Sequence, residues 1–400
     1  MTELKQPFYF DNNATTKMDE RVLNAMLPFF NLHYGNASST THVQGITARN
    51  AIEEARIKTA QLINAEENEI IFTSGATEAI NIALKGVWEN YSMYGKHIIT
   101  VKTEHKAVLD TCSHLEKHGA EITYLNVDAE GLINLDELKN EMRDTTILVA
   151  IMHANNETGV IQPLEEISKI VHQYKCILFS DATQSAGKLM IDVNELGIDM
   201  MCLSAHKMYG PKGVGALYVR RKNPRVQLAE FIHGGGHEKQ IRSGTLNVPG
   251  IVALGKACEL AQLELWDNNT HVSKLRAYLE HQLLEIEGLR INGSTKYRLY
   301  NTSNICFPKK SGAELIGKWG SLFSVSSGAA CASGSKEVSH VCFSVDAGSV
   351  HHPRTAGPAP LGPQSPDNSS PGSRPPAGQR HQRHPAAGEA RIFLFIILDL

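Results

Sequence analysis

The feature that most restricts the fold of this chain is an alternation of short apolar segments with amphipathic ones. Seven segments of five to seven residues are rich in β-branched and aliphatic side chains: Glu69–Thr73, His97–Val101, Glu121–Asn126, Thr146–Met152, Cys176–Ser180, Met200–Ser204 and Val214–Val219. Helical patterns separate or flank many of them: Thr41–Asn64, Thr77–Tyr94, Lys106–His118, Pro163–Tyr174 and Pro249–Glu287. Apolar strands that alternate with helices form a mostly parallel sheet covered on both faces. The sequence therefore predicts an α/β fold.

Composition excludes several classes of function. The chain has 39 Lys and Arg against 42 Asp and Glu, a net charge of −3, which is not the basic balance of a dedicated nucleic-acid binder. No apolar run reaches the roughly 18 residues of a membrane span, and MTELKQPFYF has no secretory signal. Seven scattered cysteines favour a reducing compartment. We therefore expect a cytoplasmic protein with neither nucleic-acid nor membrane partners.

The last part of the chain has a different composition. Nine of the 16 prolines lie after residue 341, and few apolar residues occur between His351 and Pro385. Such a segment buries too little apolar surface to offset its ordering entropy. The terminal run IFLFIILDL is too short for a membrane span and is aggregation-prone. We predict a disordered, low-complexity tail over 342–400. It is either natural or, as we prefer, an out-of-frame or spliced end that replaces the domain's original one.

Chemically useful side chains follow the predicted strands at their carboxyl ends, where open parallel sheets bind ligands. In SGATEAIN, Thr77 lies where a helix begins, and its N-terminus favours a phosphate, although a plain helix cap would look the same. Asp181 directly follows a buried strand and would pair with a protonated ring nitrogen, or else cap a turn. Gln184 is close enough in sequence to bind the same ligand.

Lys207, in LSAHKMYGPKG, is the strongest candidate for covalent chemistry. A lysine at a strand end among small and apolar neighbours has a lowered pKa and can form a Schiff base, unlike an ordinary surface lysine. Ser204 and His206 would bind a phosphate beside it. His105 could stack on a heterocycle and move protons, or be structural. Asn156 supplies a neutral hydrogen-bonding group.

The cysteines divide into two kinds. Cys331 lies in SVSSGAACASGSKE, where small residues indicate an exposed loop and a thiol placed to react. Five others follow apolar patterns, so we expect them to be buried and inert: Cys112, Cys176, Cys202, Cys258 and Cys306. The Gly-rich segment HGGGHEKQIRSGTLN has two histidines but no clear third ligand, which is a weak case for zinc. No metal site is expected.

Several of these motifs, in this order, resemble the cysteine desulfurases of the NifS/IscS type: SGATEAIN, TEHKAVLD, MHANNETG, SDATQSAG, LSAHKMYGPKGVGALYVRR, RSGTLN and SSGAACASGS. The resemblance runs from about Tyr9 to about Val341. It implies a pyridoxal 5'-phosphate (PLP) enzyme of fold type I, the aspartate aminotransferase-like fold. Its parts would be a small-domain segment (1–15), a PLP-binding large domain with a mostly parallel sheet (16–262) and a smaller, here incomplete, α/β domain (263–341).

The same resemblance implies a role for each site residue. Lys207 would hold PLP covalently, Asp181 would pair with its ring nitrogen, and His105 would stack on the ring. Gln184 and Asn156 would bind the phenolic oxygen. The phosphate would be held by Ala76, Thr77, Ser204 and His206, with Thr245 supplied by the partner subunit of a homodimer. Cys331 would take sulfur from L-cysteine as a persulfide, leaving alanine, and would pass the sulfur to iron–sulfur scaffold or other acceptor proteins, with at most a transient contact to a cluster.

The sequence departs from this pattern after Val341. A Ser-rich motif whose arginine binds the substrate carboxylate in the family is missing, and Arg354, Arg374, Arg380, Arg383 and Arg391 lie in unrelated context. Losing such a contact costs about 2–3 kcal/mol, or roughly 30- to 150-fold in binding. We therefore expect impaired desulfuration or dependence on a partner for stability. The alternatives are another enzyme of this fold (a class V aminotransferase, selenocysteine lyase or kynureninase) or a non-catalytic sulfur-transfer partner.

Overall fold

The computed structural model describes residues 7–307, 312–326, 339–348 and 392–397. The strands are β1 Phe8–Tyr9, β2 Ile70–Thr73, β3 His97–Val101, β4 Glu121–Leu125, β5 Thr146–Ala150, β6 Ile177–Asp181, β7 Met200–Ser204, β8 Gly215–Val219, β9 Arg290–Ile291, β10 Thr302–Phe307, β11 Phe323–Ser324 and β12 Ile392–Ile397. The helices are α1 Glu20–Met26, α2 Pro28–Asn31, α3 Val43–Gln61, α4 Ala76–Tyr91, α5 Lys106–Glu116, α6 Leu135–Glu141, α7 Leu164–Gln173, α8 Val248–Leu284, α9 Gly312–Trp319 and α10 His340–Gly348.

Strands β2 to β8 form one sheet in the order β2-β8-β7-β6-β5-β3-β4. Strand β8 is antiparallel to both of its neighbours, and the other pairs in the sheet are parallel. The seven predicted strands are confirmed to within two residues at each end. All of these strands except the edge strand β4 are buried along their whole length, so they can be covered by helices on both sides.

Alternate residues of each strand supply two separate cores, as the two-residue period of a strand requires. Ile98 and Leu148 pack with residues of α4 and α5 on one face of the sheet. Ile99 and Val149 pack with residues of α3, α7 and α8 on the other face. The five predicted helices are confirmed to within three residues at each end. The predicted mostly parallel α/β fold is therefore confirmed.

The remaining strands lie outside this sheet. Strands β9, β10 and β12 form an antiparallel sheet in the order β12-β10-β9, and β1 pairs with β11 in parallel. Phe10 and the end of α8 pack against an apolar cluster around Ile305. The N-terminal segment is thus joined to the second, smaller sheet region. The domain boundaries after residues 15, 262 and 341 stay predictions.

The structure corrects the expectation of disorder from residue 342 for two segments. Helix α10 continues through Gly348, and β12 pairs with β10 over six residues, from Thr302 opposite Ile397 to Phe307 opposite Ile392. The apolar terminal run therefore has a partner strand, which composition alone does not reveal. Residues 349–391 lie outside the described ranges. Within those ranges, no helix is both long and apolar enough to cross a membrane.

Candidate active site

A cavity of about 410 Å³ lies at the carboxyl ends of the parallel strands. Nine of the predicted site residues line it: Ala76, Thr77, His105, Asn156, Asp181, Gln184, Ser204, His206 and Lys207. They follow or end five of the strands, β2, β3, β5, β6 and β7, so the topology of the sheet brings them together. Two predicted site residues are not among them. Thr245 is exposed and does not line the cavity, and Cys331 lies outside the described residues.

Lys207 ends a short 3-10 turn, Ala205–Lys207, that directly follows β7. Its Nζ donates to the main-chain carbonyls of Asn13 and Ala14, the latter at 2.8 Å. The Asn13 carbonyl also accepts from Gln184 Nε2 at 3.0 Å. The N-terminal segment therefore holds the side chains of the two site residues close together. Sequence reasoning missed Asn13, because a main-chain carbonyl leaves no signal in residue type.

The N-terminal segment is attached to the Lys207 turn by a second set of bonds. Thr16 Oγ1 donates to the carbonyl of His206 at 3.1 Å and accepts from the main-chain N–H of Tyr209 at 2.8 Å. The main-chain N–H of Thr16 donates to the same His206 carbonyl at 2.9 Å. These bonds hold the chain at His206, directly before Lys207, and at Tyr209, two residues after it.

Asp181 is the last residue of β6, and its carboxylate is buried. Its Oδ1 accepts from the main-chain N–H of Thr183 at 2.9 Å and from Cys202 Sγ at 3.3 Å. A second buried acid, Glu104, lies close enough for their charges to interact. Burial raises the pKa of Glu104 well above its usual value, and Asp181 raises it further. Both effects favour the protonated form of Glu104.

His105 is the N-cap of α5, and its Nδ1 accepts from the main-chain N–H of Ala107 at 3.1 Å. This bond places the proton of the neutral ring on Nε2. Burial lowers the pKa of His105, and the positive charge of Lys207 acts in the same direction. The ring is therefore mainly neutral at pH 7, which suits stacking on a heterocycle and exchange of a proton.

The part of the cavity at the start of α4 suits an anion. Helix α4 begins at Ala76, directly after Gly75, whose φ of +148° favours glycine. The first N–H groups of a helix lack intrahelical partners and attract phosphate. Burial, together with Lys207 and Lys212, lowers the pKa of His206 to about 4. A neutral His206 can donate a hydrogen bond without carrying a charge.

These residues fit PLP. The amine of Lys207 and the carboxylate of Asp181 match its aldehyde and ring nitrogen, and the start of α4 matches its phosphate. Two buried cavity atoms, Asn13 Oδ1 and Gln184 Oε1, have no hydrogen-bond partner among the residues that the structure describes, so polar groups remain for a ligand. The cavity volume falls in the range of about 300–1,000 Å³ that is usual for small-molecule sites.

Both described flanks of residues 327–338, which include Cys331, lie at the cavity. Ser326 lines it on one side of that segment. On the other side, Ser339 Oγ donates to the carboxylate of Glu157, another cavity residue. His340 Nε2 donates to the carbonyl of Glu104 at 3.0 Å. Sequence reasoning missed Glu157, although it lies in the quoted motif MHANNETG.

The five cysteines predicted to be buried are all buried, as is Cys342. Burial raises the pKa of the Cys112 and Cys258 thiols to about 12, so their thiolates are rare at neutral pH. In the Gly-rich loop, His237 Nε2 lies 2.9 Å from Ser38 Oγ. The described part of the chain contains no cluster of three or more potential metal ligands among His, Cys, Asp and Glu.

The fold and the cavity define a PLP-dependent transferase, and comparison with known proteins agrees. The chain belongs to the class-V aminotransferase family, whose model matches residues 8–350. Among its relatives, the cysteine desulfurase IscS of Histophilus somni (strain 2336) is 49% identical over 340 residues, 84% of this chain and 84% of the relative. The cysteine desulfurase IscS of Anaeromyxobacter dehalogenans (strain 2CP-C) is 49% identical over 339 residues, 84% and 83% of the two chains.

Solved structures support the same assignment. A structure described as a NifS-like protein superposes with a TM-score of 0.79 at 39% identity and covers 85% of this chain and 90% of its own. Another, described as SspA in complex with cysteine, gives a TM-score of 0.74 at 36% identity, with 84% and 94% covered. The predicted resemblance to cysteine desulfurases of the NifS/IscS type is thus confirmed, and with it the dependence on PLP.

Proposed function

We propose that this chain is a cysteine desulfurase that holds PLP on Lys207, takes sulfur from L-cysteine and carries it as a persulfide on Cys331. The observation that carries the proposal is the cavity in which an amine, a carboxylate and a helix N-terminus converge, in a chain 49% identical to IscS cysteine desulfurases. The residue roles below are part of the proposal. The roles of the cavity residues rest on their positions in the cavity, and those of Cys331 and Thr245 rest on the resemblance.

PLP, when bound, supplies an electron sink for charge that develops on the substrate. Asp181, held by Thr183 and Cys202, keeps a positive charge favourable at the ring nitrogen. Lys207 would hold the aldehyde carbon of PLP, and its amine would be positioned to move a proton at the substrate. His105 is mainly neutral at pH 7 and exchanges a second proton at the substrate. The start of α4, with Ser204 and His206, holds the phosphate.

Cys331 would take the sulfur. Its thiolate attacks the sulfur of the bound substrate, so an S–S bond forms and the C–S bond breaks. The electron pair of that bond stays with the carbon skeleton, which is protonated and leaves as alanine. Cys331 follows Ser326 by five residues, which span at most about 18 Å. Because Ser326 lines the cavity, a thiol on this segment is within reach of the substrate.

Two measurements test this proposal. Borohydride reduction of the PLP-loaded chain, followed by peptide mass analysis, should place PLP on Lys207. After reaction with L-cysteine, Cys331→Ala should carry no persulfide at that segment but should bind PLP normally. The matched control is Cys258→Ala, which removes a buried thiol far along the chain from the Cys331 segment and should keep persulfide formation. Persulfide on the Cys331→Ala chain at the wild-type rate, or PLP on another lysine, would contradict the proposal.

We further propose that the enzyme is a cytoplasmic homodimer in which each subunit completes the phosphate site of the other. Thr245 is exposed and does not line the cavity of its own subunit, which supports this arrangement. Co-expression of Lys207→Ala and Thr245→Ala chains tests it, because a mixed dimer contains one complete site. Mixing should restore activity above that of either variant alone. Mixed dimers with no gain would refute the exchange of Thr245.

The sulfur acceptors are proposed to be iron–sulfur scaffold or other acceptor proteins.

The missing Ser-rich arginine motif supports weak binding of the substrate carboxylate. We expect the KM for L-cysteine to be raised by roughly 30- to 150-fold relative to an IscS relative assayed in parallel. The PLP dissociation constant should stay within about threefold of that relative's. An equal KM in the two enzymes would show that another residue binds the carboxylate.

A further inference from the structure

Lys188 is buried, with only 6% of its surface exposed, although lysines are rarely buried without partners. Its Nζ donates to the main-chain carbonyl of Gln184 at 3.1 Å and to that of Lys207 at 3.2 Å. Carbonyl groups that accept from an ammonium form charge-assisted bonds, which are stronger than neutral ones. The two partners are therefore held firmly, and both belong to residues of the candidate active site.

The two carbonyls belong to different loops. Gln184 lies in the loop after β6, and Lys207 lies in the turn after β7. The same two residues are also joined through their side chains, since Gln184 Nε2 and Lys207 Nζ both donate to the carbonyl of Asn13. Lys188 and Asn13 thus tie the two loops together twice, once at the main chain and once at the side chains.

Lys188 does not line the cavity that would hold PLP. It lines a neighbouring cavity of about 500 Å³, which Lys207 also borders. Its ammonium therefore touches the main chain that carries the cofactor-binding side chains. Removing it would free the relative position of two loops whose side chains approach the same small ligand. A misplacement of about 1 Å in such a site can cost roughly 10²-fold in rate.

We propose that Lys188 is a positioning residue: its ammonium fixes the separation between Gln184, which binds the cofactor ring, and Lys207, which anchors it. This inference rests on the proposed function, because it assigns the PLP-binding roles to those two residues. In this role Lys188 fixes the orientation of the cofactor and does not balance its charge. A purely structural lysine would affect the stability of the chain without changing that orientation.

The test compares Lys188→Met with Lys188→Arg and with a matched control, Lys239→Met. Lys239 also donates to two main-chain carbonyls, those of Asn68 and Ile70, but borders a different cavity. Three quantities are measured on the full chain: the dissociation constant for PLP, the circular dichroism of the bound PLP chromophore, and the melting temperature of the apo-protein. The circular dichroism reports how rigidly the chromophore is held.

Lys188→Met should raise the PLP dissociation constant by about tenfold or more and weaken the chromophore's circular dichroism. Lys188→Arg, which keeps the charge and the donors, should restore both to within about threefold of wild type. Lys239→Met should lower the melting temperature without changing either PLP signal. If Lys188→Met binds PLP with wild-type affinity and circular dichroism, Lys188 is structural only and the proposal is wrong.

Two further outcomes are decisive. If Lys188→Met does not fold, Lys188→Arg decides: wild-type PLP signals support the proposal, and a folded Lys188→Arg chain with a tenfold weaker PLP affinity overturns it. The wild-type chain is reduced with borohydride in parallel. If it carries no PLP on Lys207, the proposed function fails. If it carries PLP and Lys188→Met behaves like wild type, only the positioning role fails.

Discussion

Replacing Asp181 by asparagine separates the contribution of its charge from that of its shape. The carboxylate is buried, and its Oδ1 already accepts from Thr183 and Cys202. An asparagine can keep an oxygen at that position, so the loop after β6 should stay in place. Its remaining group would be an N–H donor, which cannot accept a hydrogen bond from a protonated ring nitrogen.

The magnitude follows from the contact that is lost. A hydrogen bond to a charged group contributes about 1.5–3 kcal/mol, which corresponds to roughly 10- to 150-fold in the PLP dissociation constant. Turnover of L-cysteine should fall further, because the unprotonated ring withdraws electrons less well. We therefore expect Asp181→Asn to bind PLP at least about tenfold more weakly and to desulfurate more slowly than that loss explains.

Glu104→Gln is the matched control for this substitution. Glu104 is a buried neighbouring acid whose Oε1 accepts from the main-chain N–H of Met152 at 2.6 Å. Burial raises the pKa of Glu104 well above its usual value, which favours the neutral form, and glutamine is neutral and preserves its shape and its acceptor oxygen. The PLP affinity of Glu104→Gln should stay within about twofold of wild type. The reasoning is refuted if Asp181→Asn binds PLP as tightly as wild type, or if Glu104→Gln loses as much.

Three other perturbations test the physical basis of the fold. Burial lowers the pKa of His153 from 6.5 to about 4, so the unfolded state binds more protons than the folded state between these pH values. The free energy of unfolding should therefore fall by about 3 kcal/mol as the pH drops from 6.5 to 4. His153→Gln should flatten that part of the pH dependence, as measured by urea unfolding. Arg56→Met leaves buried Glu238 unpaired and should cost about 3–5 kcal/mol, most of which Glu238→Gln in the same chain should recover in urea unfolding. Ending the chain at residue 391 exposes the edge of β10 and should increase concentration-dependent self-association in sedimentation experiments; unchanged sedimentation would contradict this.

Much of the large sheet and of the cavity was predictable, for a physical reason. Strands buried on both faces leave a strong apolar pattern, and a parallel sheet places their following loops at one edge. Asp181 and Lys207 could be found because each is a charged residue at the end of such a strand or within three residues of it. The role of the Asn13 carbonyl could not be found, since every residue has a carbonyl and its partner Lys207 is 194 positions away.

The end of the chain shows a different limit. The apolar run of β12 has the composition of a strand, but its pairing with β10 depends on an open edge that a single sequence does not reveal. The hydrogen bonds from Lys188 to the carbonyls of Gln184 and Lys207 were missed because a lysine in a loop is usually a surface residue. The assignments of Cys331 and Thr245 stay predictions that depend on the resemblance.

The attachment of residues 13–16 to the turn at Lys207 has a consequence for the order of assembly. During synthesis this segment emerges almost two hundred residues before the turn that it must hold, so it waits unpaired while the intervening strands form. Capture of the coenzyme is therefore a late event in the maturation of the polypeptide. A chain without its first sixteen residues would lack the bonds that Asn13, Ala14 and Thr16 make to the Lys207 turn, and its receptor for the coenzyme would be poorly shaped.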